Sequence, residues 1–400
     1  MKKLYYYLRY RYLLYHWRRR ERKRRRSNIR IGNINAFFAA LEEAGINYLV
    51  LRWFDELPKN LEEEKNYHGD IDMLAESSQL ELLCKTLARF PGRIKVDLYS
   101  NSIRLGTDCK RIAYYPPLLG SELLASTMFY QGRFRCPQPR LHLYSLLYHC
   151  VYQKGLLCGL PSGTALPNHE SYPHDLPAEL QRLAQEAGED LPQPLNLLNI
   201  HHWLQKKDWS MPYDLMGRWP TRNAWHEELL AYETKKLLDE LQGLRQLLVF
   251  LLREDAKLCG ADKQIVEKLG EKFHILETVQ LDGEKQSRVM RQTRGGDWTK
   301  HKHSIIVPPV SAVICHDPNP SPISENPELA AAHTFVDNAN VFYKHEIRKN
   351  LEKQFPQAIN FMHGSDNDPE SMAYIKAIYP ENWQTKIAQW KQILEPSLQP

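Results

Sequence analysis

Two rhythms of apolar and polar residues run along this 400-residue chain. Between Asn33 and Ala44, Ile34, Phe37, Phe38 and Leu41 recur at the spacing of a helix with one buried face, and Asn33 or Asn35 is placed to cap it. Tyr48 to Leu51 is a short apolar run of strand type, followed by a loop from Arg52 to Pro58. The same reading places a strand at Asp70 to Leu74, a helical stretch over roughly 78 to 88, and a strand at Arg93 to Tyr99. Arg140 to Lys154 is mostly apolar and reads as a buried helix. Residues 155 to 195 carry six prolines and read as a long connection or an irregular insertion; helical spacing returns over 195 to 243. Near 246 the pattern changes to a strand (Gln246 to Leu252), a helix (Gln264 to Leu269) and a strand (Phe273 to Val279), with a further strand at Pro309 to Cys315.

Four hundred residues exceed one ordinary domain, and 42% apolar residues suffice for packed cores. The chain lacks the run of about eighteen apolar residues that a spanning helix needs, and its start does not read as a secretory signal. Seven cysteines, odd in number and without a Cys-x-x-Cys pair, suit the reduced thiols of a cytoplasm better than a disulfide framework or a zinc site.

The net charge of +5 hides an asymmetry, because residues 1 to 28 hold twelve Lys or Arg against the single acid Glu21. Within that tail Tyr5, Tyr6, Tyr7, Leu8, Tyr10 and Tyr12 alternate with Arg9 and Arg11 before the charge becomes continuous. Interfacial aromatics followed by a polybasic block suit the anionic inner face of a bacterial membrane, to which a cytoplasmic protein would attach peripherally. Nucleic acid is the rival partner, since aromatics between arginines also stack on bases; a solvated arm is the plain alternative.

The chemistry that changes this picture first is His68-Gly69-Asp70-Ile71-Asp72-Met73-Leu74. In a strand, alternate residues share a face, so Asp70 and Asp72 point one way while Ile71 and Met73 point into the core. A third carboxylate, Asp97, lies in the following strand. Carboxylates held this close repel unless a cation sits between them, and a hard ion such as magnesium takes oxygen ligands and substrate phosphates together. A solvated strand face is the plain alternative. The order strand, loop, Asp-x-Asp, helix, strand with a third Asp resembles polymerase-β-like nucleotidyltransferases, most of all the minimal ones of bacterial polysaccharide loci, over roughly residues 33 to 155. That resemblance implies a Mg2+-bound nucleoside triphosphate, Asp70 and Asp72 as metal ligands, and Asp97 activating an acceptor hydroxyl. Arg52 and Trp53 stand near the place of the family's triphosphate-gripping Gly-Ser pair, making Arg52 the nucleotide-contact candidate. His149 and Lys154 are candidates at the domain edge, with a packed, hydrogen-bonded histidine as the alternative.

A second constellation lies near the end of the chain: Asn360-Phe361-Met362-His363-Gly364-Ser365-Asp366, twelve residues past Arg348. Neutral imidazole is available at pH 7 and is a competent nucleophile toward phosphorus. This run resembles the active-site segment of nucleoside diphosphate kinases, and the element order over roughly 245 to 385 fits that family. The resemblance implies His363 as the phosphorylated nucleophile, Arg348 and Asn360 on phosphates, and Ser365 supporting the active-site turn. Arg253 falls where the family has a phosphate-binding lysine, in Arg253-Glu254-Asp255-Ala256 rather than Lys-Pro-Asp-Gly. His316 to Pro322 replaces the family's arginine-bearing phosphate loop, and Glu370 is the nearest candidate for the carboxylate that supports the histidine. Among weaker signals, His201 and His202 diverge along a helix and read as surface and core respectively, with no metal. Lys300-His301-Lys302-His303 reads as a solvated or phosphate-facing loop, and Trp298 is a base-stacking candidate if it lines a cleft.

The resulting expectation is an α/β (α+β) protein with a basic aromatic tail (1–30), a small mixed-sheet nucleotidyltransferase-like domain (31–155) and a Pro-rich helical connection (156–244). A ferredoxin-like nucleoside diphosphate kinase-like domain (245–385) and a tail (386–400) complete it. The function expected is nucleotide-dependent transfer of a nucleotidyl or phosphoryl group to a sugar, lipid or protein, in bacterial surface-polysaccharide or lipid-linked sugar metabolism. A kinase-like phosphotransferase working through His363 and a non-catalytic, membrane-associated nucleotide-binding scaffold are the alternatives.

Overall fold

The structure is a computed structural model that describes residues 2–23, 29–102, 112–167, 175–219, 223–294, 297–300, 305–358 and 360–395. Helices and mixed sheets alternate along the chain, so the α/β class holds. The chain divides into two compact units, Met1–Met211 with Trp219–Glu227, and Pro212–Arg218 with Glu228–Pro400.

The first unit opens with helix α1 (Lys2–Lys23), then β1 (Ile29–Ile31), α2 (Ile34–Glu43), β2 (Tyr48–Val50), α3 (Leu61–Asn66), β3 (Asp70–Ala75), α4 (Leu80–Leu87) and β4 (Ile94–Ser100). The sheet order is β1-β4-β3-β2. β3 and β4 run parallel, which requires a crossover, and α4 supplies it. The register sets Asp70 opposite Lys95 and Asp72 opposite Asp97. Below the sheet, Phe37, Phe38 and Leu41 of α2 and Leu83 and Leu87 of α4 pack on Tyr48, Val50, Ile71, Met73 and Val96. The start of α2 is fixed twice. The Asn33 side chain accepts from Ala36 N, and the Glu64 carboxylate accepts from Asn33 N and Ile34 N at 2.8 and 2.6 Å, satisfying N–H groups that a helix leaves open.

Beyond the sheet follow α5 (Pro117–Ala125), the hairpin β5 (Thr127–Tyr130) and β6 (Phe134–Pro137), and α6 (Pro139–Tyr148), whose last turns widen to a π-helix over His149–Lys154. The Pro-rich stretch expected to be irregular contains a regular helix, α7 (Leu176–Ala187). Its Pro177 sits in the first turn, where a missing N–H costs nothing, Asp175 caps it, and Leu176, Leu180, Leu183 and Ala184 form its buried stripe. In α8 (Leu197–Lys206) the order expected for the two histidines is reversed. Leu197, Ile200, His201 and Leu204 share one buried face, so His201 is core and bonds Tyr152 Oη through Nδ1 at 2.7 Å, while His202 is half-buried.

The short α9 (Tyr213–Met216) belongs to the second unit, and α10 (Ala224–Glu240) begins in the first and ends in the second. Then come β7 (Leu247–Arg253), α11 (Glu254–Leu258), α12 (Asp262–Lys272), β8 (His274–Gln280), α13 (Gly283–Gln292), the small strands β9 (Thr299–Lys300) and β10 (Ile305–Ile306), and β11 (Pro309–His316). The chain continues through α14 (Pro327–Ala332), α15 (Tyr343–Gln354), β12 (Met362–Gly364), α16 (Asp368–Ile378) and α17 (Trp383–Leu394). The main sheet has the order β12-β7-β11-β8, every neighbour antiparallel. β7 is buried on both faces, hence its unbroken apolar run. Leu247, Val249 and Leu251 meet Met372, Ile375 and Trp390, while Leu248, Phe250 and Leu252 meet Ile265, Leu269, Ile347 and Leu351. Among the described residues no helix is long and apolar enough to cross a membrane.

Candidate functional site

In the second unit, the three-residue edge strand β12 pairs His363 with Leu251 of β7. Phe361 and Met362 pack with the α12 and α15 side of the sheet, whereas the His363 ring meets Tyr374 of α16 on the other. The turn after β12 is tied down by Ser365, whose Oγ accepts from Val249 N at 2.9 Å and bonds Ser371 Oγ at 2.8 Å. The glycine just before Ser365 is needed, because a Cβ on Gly364 would lie 2.7 and 2.8 Å from ring carbons of Phe250.

His363 is buried, and both ring nitrogens are engaged. Arg294 Nη1 meets Nδ1, and Tyr374 Oη lies 3.0 Å from Nε2. A guanidinium can only donate, so Nδ1 carries the lone pair and the proton of the neutral ring sits on Nε2, donating to Tyr374. The tyrosine hydroxyl in turn lies 3.0 Å from Asp214 Oδ2 and 2.9 Å from Glu370 Oε1. One hydroxyl hydrogen serves one carboxylate, so the other must bring its own proton. Glu370 is that group: burial first, then Asp366 and Asp214, push it up to about 8. Burial first, then the charges of Arg294, Lys344, Arg218 and Arg348, hold His363 well below its ordinary range. At pH 7 the imidazole is therefore neutral, with its Nδ1 lone pair accepting from Arg294.

Around it stand the cations Arg294, Lys344, Arg218 and Arg348. Lys344 of α15 donates to Gly364 O at 2.9 Å and to Asp366 Oδ1 at 2.8 Å, and Arg218 reaches Asp366 Oδ2 at 2.7 Å. Asp366 thus carries two of the cations. The Nε atoms of Arg253, Arg294 and Arg348 are buried without a hydrogen-bond partner. Burial first, then Arg294, lowers Arg253 to about 9 and Arg348 to about 10, the signature of guanidiniums crowding one another. Arg253 rests on the Trp298 ring, 4.8 Å from its centroid, and Trp298 is buried, so that ring carries an arginine rather than facing a cleft. Asn360 is anchored through its backbone N to Asp255 Oδ2 at 3.1 Å. His301, Lys302 and His303 lie outside the described residues.

Of the expected residues, His363, Arg348 and Glu370 come together here, Arg253 lies within the field of Arg294 and Arg348, and Ser365 shapes the turn. Sequence reading missed Tyr374, Lys344, Arg294, Asp214 and Arg218. Tyr374 is four residues past Glu370 and Lys344 four before Arg348, so each shares a helix face with a residue already singled out. Arg294, Asp214 and Arg218 are distant in sequence and carried no signal.

In the first unit the acidic trio also assembles, but with cations from the chain itself. Arg52 pairs with Asp72 at 2.9 Å, both nearly buried, and Tyr99 Oη donates to Asp72 at 3.2 Å. Lys95 spans Asp70 at 3.0 Å and Asp97 at 2.9 Å. Burial raises Asp72 from its ordinary value despite Arg52. The oxygen donors suit magnesium in kind, but they are held by Arg52 and Lys95, and no group of three or more metal-ligating side chains is found among the described residues. His149 is packed, its Nδ1 bonded to Tyr114 Oη, and Arg52 lies over the Tyr114 ring. No match to this chain is found among protein-family models, curated proteins or solved structures.

Proposed function

We propose that the second unit binds a nucleoside triphosphate at His363 and transfers its terminal phosphoryl group through a phosphohistidine. The observation that carries this reading is a neutral, buried imidazole set among arginines whose Nε atoms lack partners. Guanidinium groups whose buried Nε–H has no acceptor favour an anion that supplies one, and guanidinium forks match phosphate oxygens. In the transfer, the Nδ1 lone pair attacks the γ-phosphorus and the P–N bond forms. The bond to the β–γ bridging oxygen breaks, and its electron pair leaves with the nucleoside diphosphate. Arg294 moves from Nδ1 to the phosphoryl oxygens, while Tyr374, backed by Asp214, keeps the proton on Nε2 as the ring gains charge. The all-antiparallel order β12-β7-β11-β8 supports a ferredoxin-like arrangement of the nucleoside diphosphate kinase kind.

A second reading, nucleotidyl transfer in the first unit, is favoured by the parallel register that sets Asp72 opposite Asp97 with Asp70 two residues away. There Asp70 and Asp72 would hold Mg2+ and Asp97 would activate a sugar, lipid or protein hydroxyl. Incubation of the full chain with γ-labelled or α-labelled ATP and magnesium separates the two. Acid-labile γ-label on the protein, absent from His363→Ala, supports the first. α-Label passing to protein or a supplied acceptor, lost with Asp72→Asn, supports the second. No label with ATP still raising the thermal midpoint would leave a nucleotide-binding scaffold.

A further inference from the structure

One face of the first-unit sheet carries a row of charged side chains that changes sign along its length. The register sets Arg30 of β1 opposite Lys95 of β4, and Lys95 opposite Asp70 of β3. Directly paired residues share a face, so the three stand in line across three strands, with Arg30 and Asp70 two strand spacings, about 10 Å, apart. The row borders an open cleft of about 880 Å3, whose walls also include Lys65, Tyr67 and, just before β4, Arg93.

The two ends of this cleft offer different chemistry. At one end Arg30 Nη1 donates to Arg93 O at 2.6 Å, which holds its guanidinium against the Arg93 backbone. Among the described residues neither arginine has a carboxylate partner, and the Arg93 guanidinium makes no hydrogen bond. At the other end Lys95 donates to Asp70 Oδ2 at 3.0 Å, while Oδ1 of the exposed Asp70 accepts from none of the described residues. The half-buried Tyr67 lies beside it, its hydroxyl donating to Asp70 O at 3.2 Å. Glu64, also on the wall, has its charge offset by the N–H groups of Asn33 and Ile34.

From this we infer that the cleft binds a phosphorylated monosaccharide, with its phosphate on Arg30 and Arg93 and its ring hydroxyls toward Asp70 and Tyr67. Guanidinium forks match phosphate oxygens, and an ionised carboxylate accepts hydroxyl protons. Nucleic acid, with a phosphate on every residue, would set like charge against Asp70. A sugar without phosphate would leave both arginines unanswered. The binding stands apart from phosphoryl transfer at His363. Under the nucleotidyl-transfer reading of the first unit, the bound sugar is the acceptor, its hydroxyl end already at the acidic strand edge.

Isothermal titration of the full chain compares glucose 1-phosphate with glucose and with inorganic phosphate. Glucose 1-phosphate is expected to bind about tenfold or more tighter than either, since only it reaches both ends of the cleft. Arg93→Gln is expected to weaken it about tenfold, and Asp70→Ala to remove its advantage over inorganic phosphate without weakening phosphate itself. Circular dichroism should not change in either variant, because both side chains are exposed. Absence of glucose 1-phosphate binding overturns the inference, as does binding that Arg93→Gln leaves unchanged. Inorganic phosphate bound as tightly as the sugar phosphate would overturn it too, reducing the cleft to an anion site. A single-stranded oligonucleotide bound more tightly than glucose 1-phosphate, and weakened by Arg93→Gln, would assign the cleft to nucleic acid instead. Glucose 1-phosphate binding without any transfer of α-label from ATP would uphold this site and count against the nucleotidyl-transfer reading alone.

Discussion

Tyr374 follows His363 by eleven residues, and its hydroxyl lies 3.0 Å from His363 Nε2, between the imidazole and the carboxylates of Asp214 and Glu370. Replacing it with phenylalanine leaves Nε2–H and the Glu370 carboxyl proton without an acceptor and the buried Asp214 carboxylate without that donor. Tyr374→Phe is expected to cost about 1–3 kcal/mol in denaturant unfolding and to slow phosphohistidine formation about tenfold. A variant as stable and as readily labelled as the wild type would remove Tyr374 from the site.

The two buried groups of this network give opposite pH dependences. Glu370 is raised from 4.5 to about 8, so its contribution to stability is full below about 4.5 and lost as pH rises through about 8. His363 is lowered well below 6.5, so its contribution is present above about 6.5 and lost as pH falls toward its folded value. Thermal midpoints should accordingly decline less steeply on the alkaline side in Glu370→Gln, and less steeply on the acid side in His363→Gln. Identical slopes in all three proteins would contradict both assignments.

Arg348→Gln tests the anion site. ATP should raise the thermal midpoint of the wild-type chain, and the variant should lose about half of that rise or more. Arg348→Lys restores charge but not the planar fork, so it is expected to recover little. An undiminished rise in the glutamine variant would exclude Arg348 from phosphate binding.

Gly364→Ala probes the close approach of β12 to β7. The added methyl would sit 2.7 Å from Phe250 Cδ1, and because Phe250 is core the expected loss is about 1–3 kcal/mol. A neutral effect on the unfolding midpoint would mean the strand moves away freely.

In the first unit, the nearly buried Arg52–Asp72 pair predicts non-additivity. Arg52→Met or Asp72→Asn alone leaves an uncompensated charge and is expected to cost about 3–5 kcal/mol, whereas Arg52→Met/Asp72→Asn together should cost less than the sum. Strict additivity in urea unfolding would show the two side chains are energetically independent.

What could be read ahead of the structure was the local part. The stripe Ile34, Phe37, Phe38 and Leu41 became the buried face of α2, and the unbroken apolar run at 247 to 252 became a strand covered on both sides. Period and length carry that information in the chain itself. Pro177 misled because proline breaks a helix only beyond its first turn, and His201 misled because its place on the Leu197–Leu204 face outweighs its polarity. The cluster around His363 was half legible. Residues four apart on α15 and α16 announce one another, but Asp214 and Arg294 are eighty residues apart, and their backbone-to-carboxylate bond exists only once the chain has folded.

Lys95 gives the acidic strand edge of the first unit a tethered, monovalent counter-ion shared between Asp70 and Asp97. Any divalent ion arriving there enters by exchange, and the ion it displaces cannot diffuse away. Occupancy is therefore tied to the charge of one side chain. Acylating Lys95, or replacing it with methionine, should leave the carboxylates repelling each other and make the edge bind divalent cations more tightly, whereas most losses at a binding site weaken it.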